Sequence, residues 1–139
     1  MSAVFLSLAV MASPIQAFDR YTAHGGPVRD LTISPDGSML VSASFDYSAV
    51  VWTAPQITEK STLYAHEAAV NTARFSPDGK LLATAGDDGR IYLWKKAVLA
   101  DEDPEPIILS GHKGKVVNLA FSDDGLKRLF LLILFCELL

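Results

Sequence analysis

Between residues 70 and 95 the chain runs in short stretches where apolar and polar residues alternate and then stop at turn formers. The order is VNTARF (70–75), the turn Ser76-Pro77-Asp78-Gly79, LLATA (81–85), the turn Asp87-Asp88-Gly89 and RIYLW (90–94). Alternation with a period of two, in runs this short, predicts half-buried β-strands; a helix would repeat its apolar positions every three or four residues. Proline at the second turn position presets φ, and glycine supplies the backbone conformation that other residues resist. The same order occurs once before, with strands predicted over 28–34, 39–44 and 49–52 around the turn Pro35-Asp36-Gly37. A fourth strand is predicted in each connector, near residues 62–64 and 107–109. The second connector also carries the acidic, proline-containing loop DEDPEP (101–106).

These two passages are copies. Residues 23–52 (AHGGPVRDLTISPDGSMLVSASFDYSAVVW) align without a gap to residues 65–94 (AHEAAVNTARFSPDGKLLATAGDDGRIYLW), and a third copy, GHKGKVVNLAFSDDG, runs over 111–125. His24, His66 and His112 open the copies at steps of 42 and 46 residues, close to the roughly 40–45 residues of a four-stranded propeller blade. The predicted fold is all-β, with two complete four-stranded blades at 23–64 and 65–109 and a partial third at 111–125.

Residues 18–125 resemble the WD-repeat β-propeller family. In that family the His that opens the repeat, a Ser or Thr on the second strand, an Asp in the next turn and the Trp on the third strand form a buried tetrad. The resemblance therefore implies one tetrad of His24, Ser42, Asp46 and Trp52 and another of His66, Thr84, Asp88 and Trp94. An indole N–H, a hydroxyl, an imidazole and a carboxylate can form a relay that leaves no buried polar group unpaired. Losing one member is expected to cost about 1–3 kcal/mol through the orphaned partners. The resemblance also implies partner-contacting positions on one face, here Arg29, Asn71, Phe45 and Asp87. The chain departs from the family pattern at Ala23 and Ala65, where glycine is preferred, and at Thr53 and Lys95, where aspartate usually follows the tryptophan. Ala54 and Lys96 stand where an arginine serves binding to ubiquitin-ligase adaptors in some members, which argues against that role.

Composition narrows the function classes. The 139 residues carry 50% hydrophobic and 20% charged residues with a net charge of −4, a globular balance with no basic surface for nucleic acid. The single cysteine, Cys136, allows neither an intrachain disulfide nor a cysteine-based zinc cluster. No cofactor is expected, and no residue is assigned to catalysis or to a metal. His24, Ser42 and Asp46 contain the residue types of a hydrolase triad, but the same spacing recurs in the second copy and no G-x-S-x-G elbow exists. The three histidines open three different blades and are not placed to converge on one ion. Asp87-Asp88-Gly89 and the 101–105 run read as a turn and a solvated linker, since calcium needs 6–8 oxygens from a shaped loop.

The expected function is a protein-binding scaffold, with self-association through open blade edges. Residues 1–17 read as a signal peptide: an uncharged apolar stretch over 2–12 is followed by a cleavage point after Ala17, and it is too short to span a membrane. Export to the periplasm follows from that reading, with a cytosolic scaffold as the alternative. A further alternative is the propeller part of an exported c-type cytochrome fusion, although no C-x-x-C-H motif is present. In the tail, 126–139, the repeat gives way to LKRLFLLILFCELL. That change is read as an interruption of a longer propeller, with a buried strand or a docking tail as the other readings.

Overall fold

The computed structural model describes residues 22–101, 103–122 and 129–130. The signal-peptide reading for 1–17, and most of the 126–139 tail, fall outside those residues. Two four-stranded antiparallel sheets follow one another along the chain. The first takes β1 (Val28–Ile33), β2 (Met39–Ser44), β3 (Ala49–Thr53) and β4 (Thr58–Leu63), in that spatial order. The second repeats it with β5 (Val70–Phe75), β6 (Leu81–Gly86), β7 (Ile91–Lys95) and β8 (Ile107–Leu109). Each is the four-stranded antiparallel meander that the repeat predicts. A third sheet begins with β9 (Ala120–Phe121), which pairs antiparallel with β10 (Leu129–Phe130), so residues 129–130 of the atypical tail run as a strand.

Local chemistry closes each hairpin. In the turn after β1 the Ser34 hydroxyl donates to Asp36 at 2.7 Å, and the Ser38 backbone N–H donates to the same carboxylate oxygen at 3.1 Å. Ser76, Asp78 and Lys80 repeat these contacts in the second blade. The turn after β2 holds the αL position, and here the copies differ: Gly89 has φ 71°, whereas Tyr47 adopts φ 72° at the equivalent place. A Cβ on Gly89 would lie 3.0 Å from the Gly114 carbonyl oxygen, so glycine there serves both the left-handed backbone and the close approach of the third repeat. The fourth strand of the first blade starts at Thr58, earlier than its apolar pattern predicts. Thr53 and Thr58 pair directly across the loop, with the Thr53 hydroxyl and the Thr58 backbone exchanging 3.3 Å hydrogen bonds.

The core lies between the sheets. The first strand of the second blade, β5, lays its apolar side chains on the first blade: Val70, Ala73 and Phe75 pack with Val41, Ala43 and Val51. Val116 and Leu119 pack in the same way with Ala83, Ala85 and Ile91. Small residues on β2 and β6 let the sheets approach, and branched or aromatic residues on the incoming strand fill the space.

A polar junction centred on Asp30 also crosses this interface. Asp30, six residues after His24, accepts hydrogen bonds from the Thr72 hydroxyl (3.0 Å) and the Ala73 backbone N–H (3.1 Å), and forms an ion pair with Arg74. Asn118 of the third repeat stands 3.5 Å from both the Thr72 hydroxyl and Arg74 Nη2. Asp30, Thr72 and Asn118 occupy the same place in successive repeats, six residues after His24, His66 and His112, so the junction runs from repeat to repeat. Truncating Asp30 would leave three donors on the second blade without their acceptor. We expect Asp30→Ala to lower stability by about 1–3 kcal/mol in urea unfolding, with Asp30→Asn recovering part of the loss; a neutral alanine variant would refute this role.

Candidate functional site

Both sets of four polar residues come together inside their blades. In the first, Trp52 Nε1–H donates to Ser42 Oγ at 2.9 Å, Ser42 Oγ lies 2.7 Å from His24 Nε2, and His24 Nδ1 lies 2.9 Å from Asp46 Oδ2. In the second, the corresponding distances from Trp94 through Thr84 and His66 to Asp88 are 3.0, 2.9 and 2.9 Å. The only orientation that satisfies every group runs one way. The indole N–H donates to the hydroxyl oxygen, the hydroxyl donates to Nε2, and Nδ1–H donates to the carboxylate.

The end of each relay fixes the loop around it. Asp46 also accepts from the Gly25 N–H at 2.8 Å, the Ser48 N–H at 3.0 Å and the Ser48 hydroxyl at 2.6 Å. Burial alone would raise the Asp46 pKa, but Ser48, His24 and the Gly25 and Ser48 amides outweigh it and bring it down to about 2. Asp88 ties down Glu67 and Arg90 through their backbone N–H groups. The His66 side chain is 1% exposed, and burial pushes its pKa below the ordinary value of 6.5 despite the neighbouring Asp88 carboxylate. Ser42 and Thr84 are themselves buried, so neither hydroxyl faces a cleft that could admit a substrate.

The four residues assigned to partner contact divide into two pairs. The register of β1 on β2 shifts between Val28 and Asp30, and that of β5 on β6 shifts between Val70 and Thr72. Arg29 and Asn71 are therefore the extra residues of two equivalent β-bulges, a device that re-aims a side chain out of the alternating pattern. Arg29 is exposed, and its guanidinium carbon lies 5.3 Å from the centroid of the Phe45 ring, itself 47% exposed. Asn71 instead is buried: its amide donates to Asp87 at 2.6 Å and to the Val116 carbonyl at 3.0 Å. Lys115 donates to the other Asp87 oxygen at 2.6 Å. Burial would raise the Asp87 pKa, but hydrogen bonds from Lys115 and Asn71, with the Lys115 and Arg29 charges, take it below the usual carboxylate range. Asn71 and Asp87 thus tie the second blade to the third repeat, while Arg29 and Phe45 form an open cation–aromatic pair. Sequence reading missed Lys115, which no pairing in the alignment marks. It also missed Tyr47, although the alignment sets that exposed aromatic against Gly89.

The family model described as WD domain, G-beta repeat matches residues 15–53 and 57–95, together more than half of the chain. The chain belongs to this family. Such WD-repeat proteins are typically protein-interaction scaffolds and in general non-catalytic. The Periodic tryptophan protein 2 homolog of Neurospora crassa is 41% identical over 46 residues, which are 33% of this chain and 5% of that protein. The crystal structure of the RRP9 WD40 repeats and the structure of U3-55K each match with a TM-score of 0.65 at 24% identity. Each match covers 72% of this chain and 31% of the solved one, and the likeness is one of fold. This WD-repeat chain therefore spans a small part of the relatives it matches. Among the described residues no helix is long and apolar enough to cross a membrane.

The lowered His66 pKa has a definite sign in stability. The unfolded chain takes a proton on this ring near pH 6.5, whereas the folded chain resists it to lower pH. The stabilisation is complete above that value and declines as pH falls toward the folded pKa. We expect the His66 ring resonances in NMR to stay in the neutral form as pH is lowered through 6.5, with Nδ1 carrying the proton. A ring that titrates at or above its ordinary value would contradict the relay.

Proposed function

We propose that this WD-repeat chain captures a protein partner on the face where its two bulges and the turns after β2 and β6 meet. The supporting observation is the stacking of Arg29 on Phe45. Both side chains are exposed, neither belongs to a tetrad, and both stand on backbone that the fold holds rigid: a bulge on one side and the turn anchored by Asp46 on the other. Arginine and large aromatics are the side chains that concentrate binding energy at interfaces, and a stacked guanidinium loses little entropy when it meets a partner. Tyr47, 52% exposed with its backbone in the left-handed region, adds a second aromatic beside Phe45. Asp87 and Lys115 extend the surface across the second blade as a neutralised polar border.

A peptide selected from a displayed library on the full chain, then measured by isothermal titration, tests this reading. We expect the double variant Arg29→Ala, Phe45→Ala to weaken the selected peptide by about tenfold or more, the scale of interface hot spots, while the melting temperature stays unchanged. An unaltered affinity would remove the pair from the contact surface. A large loss of stability would return it to the fold.

We further propose that the chain is exported, on the strength of the uncharged apolar stretch over 2–12 and the small residue Ala17 that follows. Amino-terminal sequencing of the protein recovered from its native cell is expected to begin at Phe18. Recovery of an uncleaved chain from the cytoplasm would support the cytosolic scaffold instead.

A further inference from the structure

On the side of the blades carrying the Ser-Pro-Asp-Gly turns, a cleft of about 870 Å³ opens at the junction of the first and second blades. Met39 from the first blade and Leu81 and Ala97 from the second supply its apolar surface, and Lys80, Lys95 and Lys96, with the one carboxylate Asp78, are set around it. Strand pairing places these residues together: Leu81 sits opposite Lys95 in the β6–β7 register, and the Lys96 N–H donates to the Lys80 carbonyl at 2.8 Å. Lys96 is committed to the junction, since its ammonium bonds Asp36 and lies 3.0 Å from Ser38 Oγ in the first blade. Lys80 and Lys95 are exposed and close no ion pair among the described residues; the nearby Asp78 carboxylate is already engaged by Ser76 and by the Lys80 backbone N–H.

The repeat itself supplies the internal control. At the positions of Lys80, Lys95 and Lys96 the first copy has Ser38, Thr53 and Ala54, and it folds into the same four-stranded sheet with the same turn. The architecture therefore does not require cations at these places. With Lys96 paired to Asp36, Lys80 and Lys95 outnumber the single lining carboxylate Asp78 and leave the cleft positive, opposite in sign to a chain of net charge −4. Apolar surface with exposed ammonium groups beside it is complementary to an aliphatic side chain carried between carboxylates.

We propose that this interblade cleft is a second docking site, separate from the Arg29–Phe45 face, for an acidic peptide segment that inserts an aliphatic side chain between the blades. Met39, Leu81 and Ala97 receive the aliphatic group, and Lys80 and Lys95 receive the flanking carboxylates.

The test uses the full chain and a fluorescently labelled, acetylated and amidated peptide with two central leucines flanked on each side by two aspartates. Lys80→Ser with Lys95→Thr installs the residues of the first copy and so preserves the fold. We expect saturable binding to the parent chain, about tenfold weaker in this double variant and unchanged in Arg29→Ala, Phe45→Ala. Loss of binding in the latter variant alone would assign the peptide to the other face and overturn the second site. Equal binding of a control peptide with serines in place of the leucines would also overturn it, by reducing the contact to surface charge. So would an absence of saturable binding, or binding of decanoate where the peptide fails, which would make the cleft a site for anionic amphiphiles.

Discussion

A tryptophan indole, a hydroxyl, an imidazole and a carboxylate cannot be buried in a sheet of this size unless each finds its partner. The requirement acts in both directions. The relay from Trp94 to Asp88 is affordable because every donor meets an acceptor, and once formed it holds together parts of the chain that are otherwise linked only by loops. It fastens the entry loop at His66 to β6, β6 to β7, and the turn after β6 to both. The relay from Trp52 to Asp46 does the same in the first blade with a more open end, where Ser48 and the Gly25 amide complete the carboxylate's shell. The turns that carry exposed side chains inherit their rigidity from these buried carboxylates.

Blade-to-blade contact adds a second layer with different chemistry. Most of it is apolar, with the branched and aromatic side chains of one first strand lying on the small residues of the preceding blade's second strand. Such packing is permissive about sliding, because aliphatic contacts lack direction. The Asp30 junction supplies direction: a single carboxylate facing a hydroxyl, an amide and a guanidinium sets the angle and height at which the second blade meets the first. Asn71 and Lys115 do the equivalent work at the next junction, on the opposite side of the strand. A scaffold that presents a contact surface needs both layers, since the surface spans more than one blade.

The two copies also serve as an experiment within one molecule. Features shared between them, the four polar groups with Thr84 standing for Ser42 and the Ser-Pro-Asp-Gly turns, are those the blade needs. Some of the residues that differ at structurally equivalent places cluster at the two ends of the blades: Arg29 against Asn71, Phe45 against Asp87 and Tyr47 against Gly89 at one end, and the lysines against Ser38, Thr53 and Ala54 at the other. Similarity accounts for the blade itself; the differing residues serve the junctions between blades, through Asp30, Asn71 and Asp87, as well as the exposed positions proposed for contact, Arg29 and Phe45.

Much of this was legible in the residues themselves, because it depends on short-range order. Period-two alternation, turn residues and a gapless repeat are local signals, and the equal offsets from His24 to Asp46 and from His66 to Asp88 identify partners across a blade without coordinates. The tertiary structure alone decided whatever depends on side chains brought together from different blades. The bulges that turn Arg29 outward and Asn71 inward come from a register shift that no alternation pattern announces. Asp30 and Arg74, or Lys96 and Asp36, meet across dozens of residues because two sheets stack at one angle. A one-dimensional pattern records which face of a strand is apolar; it carries no record of what the neighbouring sheet sets against that face.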